Sequence, residues 1–223
     1  MQTQDVHGHW AVRLHGAFEW VLWTATVNAL WYVFALAGGV VLGTAPASVA
    51  AAELTRRRLQ GDGFAALPAF AAAWRREFLR ANLVIAPVHI VLALLAVACF
   101  GRFSPDVAGG AWSTAALVAF AITAICAAIL VPLYVHYDLS VSAYLRTTLR
   151  WMLANPAHVA VLVAVAALIG VASGLLPGII PFFTLGAWIT ASTAIGVAFF
   201  DANERRREKQ DTARPARRAR PLP

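Results

Sequence analysis

The clearest candidates for chemistry are a histidine and an aspartate two residues apart, His136 and Asp138. An imidazole beside a carboxylate could act as an acid–base pair, but no nucleophilic side chain stands beside them in the sequence. Both lie at the end of a long apolar run, where polar residues at the membrane interface are ordinary. The two cysteines and the histidines show no metal-ligand spacing. We therefore expect no enzyme, no cofactor and no metal site.

A second group of polar residues lies inside apolar runs, chiefly Asn28 and His89. Asn82 precedes His89 by seven residues, which places both on one face if the helix is continuous. Two interpretations stay open: a polar site between helices, or hydrogen bonds that only hold helices together. No Asp, Glu, Lys or Arg lies near the centre of an apolar run, which argues against a proton-coupled pump.

The apolar runs themselves determine the fold class. The chain has 223 residues, of which 60% are hydrophobic and 13% charged, whereas soluble domains carry about 25% charged residues. Five runs are long enough to cross about 30 Å of hydrocarbon: 20–43, 81–101, 112–135, 157–176 and 179–200. We predict an all-α membrane protein with about five transmembrane helices, a single domain over 1–200, and a basic disordered tail over 201–223.

The basic residues predict the orientation. Sixteen of the 18 Lys and Arg residues lie between the first and second runs, between the third and fourth, or in the tail. The positive-inside rule makes these segments cytoplasmic, with the N-terminus outside and the C-terminus inside a bacterial cell membrane. The lipid bilayer is the expected partner, with anionic lipids at the basic tail. Nucleic acid is not expected, because membrane orientation explains the basic residues.

The predicted cytoplasmic segments contain helix-forming sequences. Residues 47–59 end in an arginine cluster, and in 64–80 the aromatic residues Phe70, Trp74 and Phe78 recur at four-residue spacing. Residues 144–155 look similar, so we expect interfacial amphipathic helices on the cytoplasmic side. The aromatic-apolar starts at 78–82 and 151–155, each ending in Ala-Asn, indicate either an internal repeat or a coincidence of common residues.

Several of these residues together resemble the start of the YesL-like family of bacterial membrane proteins. The run 28–31, the glycines of 38–43 and Pro46-Ala47 begin the pattern. It continues with Arg57, Asp62, Phe70, Trp74, Phe78 and Asn82. The resemblance covers 18–200 and is strongest over 28–82. It implies a domain of unknown function that is often associated with carbohydrate ABC transporters. It also strengthens the case for a structural or functional role at six positions: Asn28, Pro46, Arg57, Asp62, Trp74 and Asn82.

Two functional hypotheses follow. The resemblance implies a non-enzymatic accessory component linked to carbohydrate uptake, with transporter subunits as partners. The alternative is a small-solute facilitator, with a path running through Asn28, His89 and the Thr/Ser face of the fifth run. The resemblance also implies a structural role for Arg57 and Asp62, an ion pair that fixes the cytoplasmic loop.

Overall fold

The computed structural model describes residues 4–100 and 111–218, with side chains over 15–99 and 112–210. The described residues form helices and no strand. The helices are α1 (Gln4–Ala37), α2 (Val41–Leu59), α3 (Ala66–Val84), α4 (Ala86–Phe100), α5 (Ala111–His136), α6 (Val141–Ala154), α7 (Pro156–Leu175) and α8 (Leu185–Arg218).

Four stretches are long and apolar enough to cross a membrane: His15–Ala37, Trp112–His136, Pro156–Leu175 and Pro177–Gln210. A fifth exists if α3 and α4, which meet at an angle of 66°, form one broken span. Large apolar side chains on these stretches face outward, for example Leu168 and Phe182. A surface of this kind suits lipid, and the protein is a multi-pass all-α membrane protein.

The first predicted span does not continue to residue 43. Gly39 and Val40 both have positive φ, so α1 ends at Ala37 and the chain reverses. α2 then runs back along α1, and the indole of Trp31 donates to Ser48 Oγ at 2.9 Å. At the far end of this hairpin, Arg58 Nη2 lies 3.8 Å from Glu19 Oε2. A single crossing over 20–43 would have kept those two residues on opposite faces.

The helix-forming segment predicted at 47–59, after the first span, is helical but lies inside the bundle. It belongs to α2, whose residues from Ala45 to Ala52 are all buried. One side of α2 packs against α1 and α3, and the other packs against α5 and the end of α3. Alanine side chains allow such close approach, so α2 lies inside the bundle instead of along its edge.

The second predicted span, 81–101, is broken. α3 ends at Val84 and α4 begins at Ala86, with the 66° bend between them. Pro87 explains the break, because it cannot donate to the carbonyl of Leu83 and its ring crowds that carbonyl. Asn82 and His89 therefore lie on different helices, and the single shared face expected for them is not present.

The remaining helices agree better with the sequence. α5 and α7 match the predicted spans 112–135 and 157–176 within about two residues. Before α8, the chain passes through a 3-10 turn at Pro177–Ile179 and a π turn at Ile180–Thr184. α8 then continues to Arg218, so 201–218 is helical where disorder was expected. That stretch is rich in Glu, Arg, Lys, Gln and Ala, which are good helix formers.

The aromatic face of α3 is confirmed. Phe70 is fully buried, and its ring centroid lies 5.0 Å from that of Phe34 on α1. Trp74 contacts the same Phe34 ring at 5.6 Å and Phe78 at 4.9 Å. The four-residue spacing therefore marks the side of α3 that packs against α1.

Candidate functional site

A pocket of about 410 Å³ brings together many charged and phenolic side chains of the described structure. Its walls come from α2, α3, the end of α5 and the start of α6. The charged and phenolic groups that line it are Glu53, Arg56, Arg57, Arg76, Glu77, Arg80, Tyr134, His136, Tyr137, Asp138 and Tyr144. An apolar protein that gathers so many such groups in one place has either a binding site or an internal ion-pair network there.

Much of this charge is paired across helices. Arg76 on α3 forms ion pairs with Glu53 on α2 and with its neighbour Glu77. Tyr134 on α5 donates to Glu77 Oε2 at 2.7 Å. One guanidinium and one carboxylate thus connect three helices, and these charge-assisted hydrogen bonds are stronger than neutral ones.

A second set of contacts holds the chain after α5. Arg80 Nη2 lies 2.6 Å from Asp138 Oδ1 and 2.7 Å from the carbonyl oxygen of Leu139. The hydroxyl of Tyr144 accepts from the backbone N–H of Leu139 and donates to the carbonyl of Tyr137. Asp138 therefore serves to anchor this turn to α3.

His136 has other partners. Its side chain is 6% exposed, and Nε2 lies 3.2 Å from Glu204 Oε1 and 3.9 Å from Asp201 Oδ1, both on α8. Tyr137 also hydrogen bonds to Glu204, and burial together with this bond raises the pKa of Tyr137 to about 12. The acid–base pair considered for His136 and Asp138 is not assembled, since Asp138 binds Arg80 and His136 turns to α8.

Asn28 occupies a fully enclosed position between α1 and the start of α8. It is 1% exposed, its Nδ2 donates to the carbonyl of Pro181 at 2.7 Å, and its Oδ1 accepts from the N–H of Gly186 at 2.9 Å. Both ends of the amide are thereby occupied by backbone groups. Asn28 holds two helices together, which is the structural alternative left open by the sequence.

The other positions singled out from the sequence lie at several places in the fold and do not form one site. The Arg57–Asp62 ion pair is present, with 3.5 Å between Nε and Oδ2. Asn82 Nδ2 donates to the carbonyl of Leu42 and to that of Phe78 in its own helix. Pro46 is buried inside α2. His89 lies in α4, beyond the bend.

Sequence reasoning missed three carboxylates that make the polar contacts: Glu53, Glu77 and Glu204. Apart from Arg76, which is next to Glu77, their partners are distant along the chain, so spacing could not reveal them. The low number of acidic residues was a usable signal, since the chain has only 11. A membrane protein rarely keeps a carboxylate within a helix unless that carboxylate has a partner. The buried His158, whose Nδ1 accepts from the indole of Trp151 at 2.9 Å, was also missed.

Comparison with known proteins finds a match to one protein family. Residues 24–99 match the family described as "Protein of unknown function, DUF624". Over these residues, about a third of its length, the chain is similar to DUF624. The resemblance expected from the sequence is thereby confirmed, since the matched residues include Asn28, Pro46, Arg57, Asp62, Trp74 and Asn82.

Two relatives of the DUF624-like chain come from Bacillus subtilis (strain 168). The uncharacterized protein YesV is 28% identical over 172 residues, which are 76% of this chain and 83% of YesV. The uncharacterized protein YteU is 28% identical over 185 residues, which are 75% of this chain and 76% of YteU. No solved structure gives a significant match.

The matched family region has a definite place in the fold. It runs from within α1 to the end of α4, and it contributes Glu53, Arg56, Arg76, Glu77 and Arg80 to the pocket. His136, Asp201 and Glu204 lie outside it. The pocket therefore joins the family-matched region to residues from the end of α5, the turn after it and the start of α6.

Proposed function

We propose that this DUF624-like membrane protein is a non-enzymatic accessory component of carbohydrate uptake. The family resemblance supports the link to uptake. The observation that carries the accessory role is the hydrogen bonding of the buried Asn28 side chain. Its Nδ2 and its Oδ1 each bond to a backbone group at or just before the start of α8. The facilitator alternative needs Asn28 as part of a polar path, and a satisfied, 1% exposed amide argues for a packed bundle.

We infer that the partner is a membrane-embedded transporter subunit. α6 carries three leucines at four-residue spacing, which are 46%, 44% and 86% exposed: Leu145, Leu149 and Leu153. They share one face of α6, while the buried Tyr144 and Thr148 face the bundle. An apolar ridge beside a polar pocket suits contact with another membrane helix.

Purification from native membranes tests this proposal. A chain with an affinity tag, extracted in mild detergent, should bring down carbohydrate transporter subunits identified by mass spectrometry. Leu149→Gln with Leu153→Gln should reduce their recovery severalfold. The matched control is Arg146→Gln with Arg150→Gln, two exposed positions on a different side of α6, which should leave recovery unchanged. Recovery of the tagged chain without any transporter subunit would overturn the accessory role.

We also propose an orientation. The arginines of the pocket support a cytoplasmic location for that end, and the basic C-terminal segment, with anionic lipids as its partners, supports the same side. The contact between Glu19 and Arg58 favours an N-terminus on the arginine side as well. The proposed orientation revises the expectation of an external N-terminus. In it, α2 crosses back through the membrane and is shielded from lipid by its neighbours.

A further inference from the structure

Three side chains at the α5–α8 contact form a group with metal-binding character. One ligand atom from each of His136, Asp201 and Glu204 lies within 4.8 Å of the other two. Two of these residues are three apart on α8, which places them on the same face, and His136 is the last residue of α5. All three are therefore held by long helices, which fix ligand positions better than loops do.

The distances suit a metal ion bound by nitrogen and oxygen. Ligands about 2.1 Å from a tetrahedral metal lie roughly 3.4 Å from one another. The separation of His136 Nε2 from Glu204 Oε1 is 3.2 Å, and that from Asp201 Oδ1 is 3.9 Å. Small side-chain rotations would bring all three into coordination distance.

The surroundings support the same assignment. Tyr137 hydrogen bonds to Glu204 and orients its carboxylate. Residues that hydrogen bond to metal ligands commonly orient them in this way. The His136 side chain is only 6% exposed. The two carboxylates carry two negative charges, and the positive charge of Arg56 acts on Glu204. A divalent cation would compensate the remainder.

We propose that His136, Asp201 and Glu204 bind one divalent transition-metal ion, of the zinc or manganese class. An imidazole ligand favours these ions over calcium or magnesium. Three protein ligands leave at least one coordination position open. Because His136 also lines the 410 Å³ pocket, water or an anionic ligand can reach the metal from that side. The metal would join α5 to α8, independently of any accessory role in uptake.

The test uses the full chain in detergent with a tag that contains no histidine. His7, His9 and His15 are replaced by Gln throughout, because the N-terminal histidines offer competing ligands. After dialysis against zinc or manganese alone, elemental analysis should give about one metal ion per chain. Cobalt should produce visible d–d absorption from a site of low symmetry.

Two variants and one control decide the outcome. Glu204→Gln and Asp201→Asn should each weaken metal binding at least tenfold and remove the cobalt bands. Asp62→Asn carries the same change of charge at a carboxylate that pairs with Arg57 and does not line the pocket, and it should bind metal normally. Equal binding by the parent chain and Glu204→Gln overturns the proposal, as does a parent chain that binds no metal. A thermal melt of each variant identifies those that have lost the fold.

Discussion

Val40 is the most strained residue of the described backbone. Its φ of 64° and ψ of −70° form a γ-turn of the rare kind, and the N–H of Val41 donates to the carbonyl of Gly39 at 2.8 Å. A β-branched side chain is unfavourable at positive φ. The strain is concentrated where α1 reverses into α2, so this turn determines the hairpin.

Replacing Val40 tests this strain. Val40→Gly should stabilise the protein by about 1 kcal/mol, because glycine adopts positive φ without steric cost and the valine side chain is exposed. The measurement is thermal or denaturant unfolding in detergent. The control Val41→Gly lies in α2 at similar exposure and should destabilise by about 1 kcal/mol. Destabilisation by both variants would show that residue 40 is not strained.

The buried hydrogen bonds of Asn28 lead to a separate prediction about stability. Asn28→Ala should destabilise the protein by about 1–3 kcal/mol, because the buried N–H of Gly186 loses its acceptor. Thr26→Ala is the control, since Thr26 Oγ1 bonds only to the carbonyl of Leu22 in its own exposed turn. Equal stability of the two variants in an unfolding assay would contradict the packing role given to Asn28.

Residue-level prediction from the sequence succeeded for near neighbours and failed for distant ones. Arg57 and Asp62 are five residues apart, and their ion pair was foreseen. His136 was considered together with Asp138 because they are close in sequence, whereas the partners of His136 lie on α8, more than 60 residues away. Spacing along one chain segment carries no information about which helices will pack together.

At the scale of elements, apolar length predicted α5 and α7 well and failed at two other places. The 81–101 run is apolar throughout, so only Pro87 signalled that α3 and α4 would bend. α2 contains a cluster of arginines, which indicated an interface, while its alanines allowed burial. Composition along one helix does not reveal how many neighbours that helix will contact.

Close helix packing predicts a size limit at Gly186, where α1 crosses the start of α8. A Cβ added there would collide with the carbonyl oxygen of Thr24 and would lie 2.8 Å from Asn28 Cβ. Gly186→Ala should therefore separate α1 from α8 and lower the melting temperature. Gly170→Ala on α7 is the control, since a Cβ there meets nothing within 4 Å, and it should be neutral or slightly stabilising. A neutral Gly186→Ala would contradict this packing.

For the whole molecule, the hairpin of α1 and α2 gives a topological prediction. Cysteines introduced singly at Gln60 and Gln210, both exposed, should react with an impermeant maleimide only from the cytoplasmic face. A cysteine at Thr3 should react from that same face if α2 brings the chain back across the membrane. Labelling of Thr3→Cys from outside would restore the external N-terminus, and labelling of all three sites from outside would reverse the orientation.

The contacts among Glu53, Arg76, Glu77 and Tyr134 also have a consequence for biogenesis. Carboxylates and guanidinium groups are expensive to place in hydrocarbon before their partners arrive. Tyr134 is synthesised more than 50 residues after Glu77, so α2 and α3 leave the ribosome before α5 can complete their network. These two helices therefore remain in contact with water, at the translocon or the membrane surface, until the later half of the chain packs against them.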